Sequence, residues 1–464
     1  KYAHQNIGFE AIDLANGLFR VTNRFYFTNL KKYMVHYSVT ANNKVVRSGK
    51  VSLDIEPQAS KEFTVPVGNL KPQAGTEYFV NFNVTTVEKE PLIPIGHEIA
   101  CNQFRLPIES PKKAFKTSGP KLTVSTNGDN LSASSSKVNF VFNRKTGIVT
   151  SYKVDGTEYF SEGFGIQPNF WRAPTDNDYG NGMPKRLQVW KESSKNFNVT
   201  DATVTMDGNN AVVNVNYLLP AGNLYIVNYT IYPSGAVNVA ARFTSTDMDA
   251  AQTEVSEATR TATFTPGRDA ARKEASKLNV PRIGVRFRLP ASMNQVEYFG
   301  RGPAENYLDR NAGSMVGLYK STAEELYFPY VRPQENGHHT DTRWVSLSTG
   351  KKGLLIQADN TIGFNALRNS IEDFDDEEAT GLPRQWSNFT PEQVANHDEA
   401  AAKSVLRRQH HINDITPRDF VEVCVDLKQQ GVAGYDSWGS RPEPAYTLPA
   451  NREYNWGFTL IPLK

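Results

Sequence analysis

The chain has 464 residues, of which 39% are hydrophobic, so it is long enough to form more than one domain with a substantial core. Its 51 basic and 49 acidic residues leave a net charge of +2, which gives no electrostatic support for a nucleic acid or an anionic membrane as partner. No continuous apolar run reaches the roughly eighteen residues that a membrane-spanning helix needs. We therefore expect neither a nucleic acid nor a membrane as partner.

Period-two alternation of apolar and polar residues dominates the chain and predicts β-strands. It is clearest at residues 34–40 and 78–85. The turn residues 207–209, Asp-Gly-Asn, precede the alternating stretch 211–217, which predicts a tight hairpin. Turn residues separate such runs roughly every 8–12 residues, as in sandwiches and barrels. We therefore predict an all-β chain.

A boundary is predicted at residues 109–122, which are rich in Pro, Lys, Ser and Gly and therefore read as a linker. Residues 1–108 have the size of an immunoglobulin-like β-sandwich. Residues 123–464 are too long for a second domain of that kind and show no internal repeat. One large antiparallel β-sandwich is the economical interpretation of this second part.

Helical signals are few. Residues 390–393, Thr-Pro-Glu-Gln, have the form of a capping box with Pro at the first helical position, and residues 267–278 are a second candidate. The acidic run EDFDDEE at 372–378 has no spacing that fits a known calcium loop, so we favour a solvated, mobile loop there. Cys101 and Cys424 are expected to be free buried thiols, although a disulfide between them stays open.

The sequence contains no complete motif for a metal site or for nucleophilic catalysis. The stretch DNDYGNG at 176–182 begins like a calcium loop but lacks the later ligands, and we expect no metal site. The loop GRGPAENYLDR at 300–310 offers Glu305 and Asp309 as candidate acids. A retaining glycosidase needs two carboxyl groups about 5–5.5 Å apart, and sequence spacing alone cannot establish such a pair.

Five segments in a fixed order resemble the C-terminal region of the large β-galactosidases of glycoside hydrolase family 2. They are FGIQPNFWRAPTDNDYGNG (164–182), PRIGVRFRLP (281–290), YFGRGPAENYLDR (298–310), YVRPQENGHHTDTRW (330–344) and GVAGYDSWG (431–439). Residues 1–107 resemble the immunoglobulin-like domain that precedes that region. The resemblance covers essentially the whole chain.

The resemblance implies an immunoglobulin-like sandwich followed by a large supersandwich of the galactose-mutarotase type. In the family, the acid/base and nucleophile glutamates lie on a (β/α)₈ barrel, which needs about 250 residues of alternating strands and helices. No such stretch occurs in this chain. The chain alone is therefore expected to be inactive as a β-galactosidase. Glu305 and Asp309 are expected to hold the conformation of their loop.

The resemblance also implies a set of substrate-binding residues at the mouth of the barrel. Trp438 stands where the family places an aromatic residue that stacks on sugar, and its neighbours in that set are Asp436, Asn177, Asp178 and Gly180, the last as a hinge. The family commonly uses Mg and Na ions, bound mainly outside this region, so no cofactor is expected in this chain.

The implied partner is a β-galactoside that reaches the chain through a parent enzyme. A homo-oligomer is compatible with the resemblance, as are the bacterial cytoplasm and the periplasm. Two other functions stay open at this point. One is a free-standing carbohydrate-binding protein, and the other is a mutarotase that uses His338 or His339 with Glu335.

Overall fold

The computed structural model describes residues 2–244, 278–375, 411–436 and 439–464. Strands dominate these residues, and the expected all-β class is confirmed. The helices predicted at 390–393 and 267–278 lie outside the described residues, apart from residue 278. The described helices are instead short: α1 (Asp176–Gly180), α2 (Met183–Arg186), α3 (Gln188–Ser193) and α4 (Ile371–Phe374), with 3₁₀ turns at Tyr2–His4, Leu30–Lys32, Ser161–Gly163, Ile412–Asp414 and Pro444–Tyr446.

The chain divides into two compact units. The first comprises residues 2–115 together with Phe299–Pro303 and Ala312–Tyr319. The second comprises Lys116–Tyr298, Ala304–Asn311 and the described part of Lys320–Lys464. The domain limits 1–108, 109–122 and 123–464 stay predictions.

In residues 2–115, all of which are described, seven strands form the two sheets of a sandwich. The strands are β1 (Ile7–Asp13), β2 (Leu18–Asn23), β3 (Tyr33–Ala41), β4 (Lys44–Val51), β5 (Ser60–Thr64), β6 (Tyr78–Thr86) and β7 (Glu98–Arg105). One sheet has the order β1-β2-β5 and the other β4-β3-β6-β7. The fourth strand pairs with the third and not with the fifth, which differs from a constant-type immunoglobulin domain.

Alternation produces the core of this sandwich, because every second residue of each inner face points between the sheets. Phe9, Phe19 and Phe82 meet there, with the Phe9 and Phe82 rings stacked at 4.5 Å and Phe19 edge-on to Phe82 at 4.9 Å. The first unit therefore has a continuous aromatic core.

In the same unit, the Gln103 side chain exchanges two hydrogen bonds of 2.8 Å with the backbone of Val316.

The remaining strands form two further antiparallel sheets among the described residues. They are β8 (Thr123–Asn127), β9 (Asn130–Ser134), β10 (Val138–Asn143), β11 (Ile148–Val154), β12 (Thr157–Glu158), β13 (Gln167–Asn169), β14 (Asn198–Asp207), β15 (Asn210–Leu218), β16 (Leu224–Ile231), β17 (Val237–Phe243), β18 (Arg282–Pro290), β19 (Gln295–Gly302), β20 (Met315–Thr322), β21 (His339–Ser348), β22 (Gly353–Leu367), β23 (Phe420–Gln429) and β24 (Tyr454–Leu463).

The larger of these sheets has twelve strands within the described ranges. Its main path is β13-β18-β23-β22-β24-β17-β16-β15-β14, and β21 joins β22 and leads through β19 to β20. The smaller sheet has the order β12-β11-β10-β9-β8. The predicted hairpin is confirmed, since Asp207 of β14 pairs with Asn210 of β15 around Gly208, whose φ is +58°. The large antiparallel sandwich is thereby confirmed as the second component of the fold.

An aromatic cluster attaches the helical segment to the large sheet. Trp190 of α3 lies 5.9 Å from Phe243 of β17 and 6.3 Å from Phe170, ring centroid to ring centroid. Phe170 in turn stands edge-on to Tyr225 of β16 at 5.1 Å. All four side chains are fully buried. Truncation of one such buried ring typically lowers the free energy of unfolding by roughly 3–5 kcal/mol. This aromatic core therefore sets the position of α1 to α3.

Strands β18 and β23 are neighbours in the large sheet, and most of their residues are buried on both faces. Apolar residues such as Val285 and Phe287 fill one face of β18, whereas Arg286 and Arg288 occupy the other. Arg288 pairs in register with Glu422 of β23, and its side chain bonds that carboxylate at 2.8 Å. The charged face is thus covered, and its charges are neutralised between neighbouring strands.

Candidate functional site

The segment that carries Asn177, Asp178 and Gly180 begins α1 with a capping box. The Thr175 hydroxyl accepts the backbone N–H of Asp178 at 3.3 Å, and the Asp178 carboxylate accepts the backbone N–H of Thr175 at 2.9 Å. These bonds satisfy backbone donors that a helix start leaves unpaired. Asn177 is half-buried on this turn, and Gly180 is exposed at its end.

Asp178 lies in a buried ion pair with Arg172. The two nitrogens of the guanidinium stand 2.8 and 3.2 Å from the two carboxylate oxygens, and the side chains are 0% and 2% exposed. The Thr175 hydroxyl donates to the same carboxylate at 3.1 Å. Both oxygens of Asp178 therefore have partners within the chain. The role of Asp178 in substrate binding stays a prediction.

Residues 431–436 approach α1 from the far end of the sequence. A Cβ atom added to Gly434 would lie 2.6 Å from the Asn177 amide nitrogen, and one added to Gly180 would lie 3.1 Å from the Cα of Gly439. Asp436 is exposed, and its carboxylate accepts the backbone N–H of Ser440 at 3.2 Å. The structure thus places Asn177, Asp178 and Gly180 on one short helix and brings the segment that carries Asp436 against it. Trp438 lies outside the described residues.

Asp309 holds the 431–436 segment in place. Its two carboxylate oxygens accept the backbone N–H groups of Val432 at 3.0 Å and Ala433 at 2.8 Å. Arg172 donates to the carbonyl of Gly431 at 3.3 Å. Three segments far apart in sequence, residues 172–180, 305–309 and 431–436, are tied together in this way. We refer to them below as the loop cluster.

Glu305 has the loop-holding role expected for it. Its carboxylate accepts a hydrogen bond from Arg310 at 2.9 Å, one from the backbone N–H of Gly337 at 2.7 Å, and one from the Tyr330 hydroxyl. The side chain is only 7% exposed. Burial and the Glu305 charge raise the pKa of the Tyr330 hydroxyl, which keeps it in its donating form. These contacts fit the loop-holding role expected for Glu305, whereas Asp309 holds the backbone of another segment; that neither residue is a catalyst stays a prediction.

The outer surface of the loop cluster combines charge with aromatic rings. The guanidinium of Arg332 lies 4.0 Å from the centre of the Tyr179 ring and 3.5 Å from the Asp176 carboxylate. Tyr435 is 68% exposed, and its hydroxyl donates to the carbonyl of Arg441 at 2.8 Å. Exposed rings beside polar groups are the side chains that sugar ligands contact through their apolar faces and hydroxyl groups.

A buried polar network lies in the same unit and was not predicted from the sequence. Arg282 is fully buried and bonds Glu335 at 3.2 Å and the Asn365 amide oxygen at 2.7 Å, and its Nε lies 3.1 Å from Asp426. Gln429 donates to Glu335 at 2.9 Å. Burial raises the pKa of Asp426 to about 7, although the Arg282 charge opposes this shift.

His338 and His339 are also buried, each 1% exposed. Burial and the nearby Arg282 charge hold the pKa of His338 well below its usual range. The ring is therefore neutral, lies 5.6 Å from the Tyr307 ring, and contacts the Asn365 amide oxygen through Nδ1 at 2.9 Å. Neither histidine offers a free edge that could converge with Glu335 on a sugar ring.

The acidic run differs from the expectation of a solvated loop. Asp373 and Asp375 are buried, the first paired with Arg418 and the second bonded by the Trp171 indole N–H and Lys191, both at 2.7 Å. Glu372 pairs with Arg286 at 2.8 Å. The prediction was wrong for these three residues because cations distant in sequence neutralise them. Residues 376–378 lie outside the described residues.

In the part of the chain that is described, no three His, Cys, Asp or Glu side chains converge as a metal would require. Cys101 is half-buried and Cys424 is buried, and neither forms a disulfide. No helix among the described residues has both the length and the apolarity to cross a membrane.

Comparison with known proteins gives matches over most of the chain. Residues 134–460 match the family described as "Beta galactosidase small chain", and residues 19–107 match "Beta-galactosidase, domain 4". Relatives include a β-galactosidase from Priestia megaterium, 30% identical over 100% of this chain and 39% of its own length. Another, from Streptococcus thermophilus, is 24% identical over 96% of this chain and 37% of its own length. The chain thus spans about two fifths of the length of these relatives.

Solved structures with some likeness include a galactose 1-epimerase from Lactobacillus acidophilus, 7% identical with a TM-score of 0.36, covering 74% of this chain and 98% of that one. A galactose mutarotase related enzyme from the same species is 10% identical with a TM-score of 0.35, covering 72% and 97%. Likeness at this level carries no functional conclusion. The family match, in contrast, covers well over half of the sequence. The chain belongs to the β-galactosidase small-chain family.

Proposed function

We propose that this chain is a non-catalytic part of a β-galactosidase that removes terminal non-reducing β-D-galactose residues. In this proposal the catalytic barrel lies outside the chain, and the loop cluster completes and borders its active site. The family match and the similarity to known β-galactosidases support this assignment. A β-galactoside is then the ligand, and the Mg and Na ions of such enzymes bind mainly outside this chain.

The observation that carries the proposal is that the three carboxylates of the loop cluster are already bonded to other groups of the chain. Asp178 is occupied by Arg172, Asp309 by two backbone N–H groups, and Glu305 by Arg310, Tyr330 and a backbone N–H. A retaining glycosidase needs one free carboxylate as nucleophile and one protonated carboxyl as acid. These three carboxylates instead hold the backbone of their segments in place. That role suits a rigid border of an active site and not a catalytic pair.

In the proposed enzyme the loop cluster presents its outer surface to the sugar. Asn177, Gly180 and Asp436 lie on that surface, and Trp438 follows Asp436 after one residue. A ring stacked on a sugar that covers roughly 50–100 Å² would contribute about 1–3 kcal/mol. Such a contact orients the galactose ring but does not bind it tightly alone. Asp178 would act indirectly, by positioning α1.

The test compares the pure chain with the complete reading frame from which it comes, using a chromogenic β-galactoside. We expect hydrolysis by the complete protein only. In the complete protein, Trp438→Ala should raise KM by about tenfold, as a loss of about 1.4 kcal/mol implies. Tyr26→Ala, which removes an aromatic residue 75% exposed in the first unit, is the matched control and should leave KM unchanged.

Hydrolysis by the pure chain above a heat-killed control, abolished by Glu305→Gln, would contradict the proposal. The alternative of a mutarotase-like protein makes a different prediction, because the pure chain would then accelerate the optical-rotation change of fresh α-D-galactose. We expect no acceleration, since His338 is buried and neutral and Glu335 is occupied by Arg282 and Gln429. Saturable galactose binding by the pure chain would support the other alternative, a free-standing carbohydrate-binding protein.

A further inference from the structure

Two arginines line one cavity next to the loop cluster. Arg186, the last residue of α2, and Arg441 face a space of about 270 Å³, which Asn181, Gln430 and Thr447 also line. Arg186 is half-buried and Arg441 is exposed at the rim. The cavity is therefore open to solvent, and most of its polar lining groups can donate hydrogen bonds.

Within the described residues, neither Arg186 nor Arg441 forms an ion pair with a carboxylate, although the nearby Asp178 charge favours the charged form of Arg186. Asp178 is the one carboxylate in the lining, and both of its oxygens are already bonded to Arg172. Arg186 donates from Nη2 to the Asn181 side chain at 3.2 Å, whereas its Nε is buried without a hydrogen-bond partner. Burial and the neighbouring charge of Arg441 lower the pKa of Arg186.

A buried donor without an acceptor destabilises the folded state, and two guanidinium groups that share a cavity repel each other. Folded proteins seldom combine an unpaired buried donor with two neighbouring like charges unless a bound group pairs with them. An anion with several oxygens would relieve both, since it accepts from Nε and neutralises the paired charges. Guanidinium groups match phosphate and carboxylate oxygens in geometry as well as in charge.

We infer that the cavity between Arg186 and Arg441 is a binding site for a small oxyanion, a phosphate or a carboxylate group, which the two guanidinium groups share. The Asn181, Gln430 and Thr447 side chains supply further donors. Because Arg186 follows α1 and Arg441 follows the 431–436 segment, the bound anion joins the two sides of the loop cluster.

The experiment is calorimetric titration of the folded chain with inorganic phosphate and with malonate at fixed ionic strength. We expect saturable one-site binding of at least one probe, phosphate indicating a phosphoryl ligand and malonate a carboxylate ligand. Arg186→Gln and Arg441→Gln should each weaken that binding at least about tenfold. The matched control is Lys185→Gln, which removes an exposed cation from the same helix and should leave the dissociation constant unchanged.

Absence of saturable binding by either probe would overturn the inference. An equal weakening by Lys185→Gln would do the same, because it would show attraction to net charge and not to the cavity. Arg441 is exposed, so Arg441→Gln is expected to fold and keeps the test decisive if Arg186→Gln does not. Circular dichroism of each variant establishes that it is folded before titration.

Discussion

Replacement of Asp178 by Asn should destabilise the larger unit strongly. Asp178 and Arg172 are almost completely buried, and the change leaves the Arg172 guanidinium without its counter-charge. Loss of one partner of a buried ion pair costs about 3–5 kcal/mol. Asparagine keeps one oxygen that can accept the backbone N–H of Thr175, so we expect about 3 kcal/mol. For a unit of this size, whose unfolding entropy is about 0.7 kcal/mol/K, that corresponds to a melting temperature lower by about 4 °C.

The assay is thermal unfolding followed by circular dichroism, with Asp176→Asn as the matched control. Asp176 lies on the same helical turn, and its side chain is 60% exposed beside Arg332, so the same chemical change should cost less than about 0.5 kcal/mol. Equal melting temperatures for Asp178→Asn and Asp176→Asn would refute the reasoning. That outcome would mean that the buried pair contributes no more than a surface charge, and Asp178 would become a candidate for direct substrate contact.

Three further predictions concern other parts of the structure. Asp309→Ala should leave two backbone N–H groups of residues 431–434 unpaired, cost about 2–4 kcal/mol, and speed hydrogen exchange there, as mass spectrometry can measure. Burial raises the pKa of the Cys424 thiol, so a thiol reagent should modify Cys101 in the native protein but Cys424 only after unfolding. Burial raises the pKa of Asp426 from 3.8 to about 7, so the folded state holds this proton more firmly than the unfolded state. Its contribution to the unfolding free energy should therefore fall as pH rises from 3.8 to about 7, and Asp426→Asn should remove that slope in urea titrations.

The strands were predictable because their signal is local. The alternation at residues 34–40 lies within β3, and the stretch 211–217 lies within β15 after the turn at Gly208. The short helix α1 was missed, although Thr175 and Asp178 have the spacing of a capping box in the sequence. Its apolar periodicity is too short to separate a single helical turn from a loop.

The buried network could not be predicted, because alternating charges on a strand normally indicate a solvent-facing side. Arg286 on β18 and Glu422 on β23 have this pattern yet are buried, and Arg288 on β18 is only partly exposed. Their partners are distant in sequence, since Glu422 follows Arg288 by 134 positions and Glu372 follows Arg286 by 86. Only the strand order and register reveal which charges meet, and one sequence does not contain that information.

The contact between Gly180 and Gly439 has a consequence for exchanging parts between related enzymes. A Cβ atom on Gly439 would lie 2.5 Å from the backbone of Gly180, and the φ of +91° at Gly439 already disfavours any side chain. Suppose that a chimera took one of these loops from a relative with a bulkier residue at the position of Gly180 or Gly439. The backbone of the other loop would then have to move away. Graft boundaries therefore have to enclose both stretches, so the two loops are transferable only as a pair.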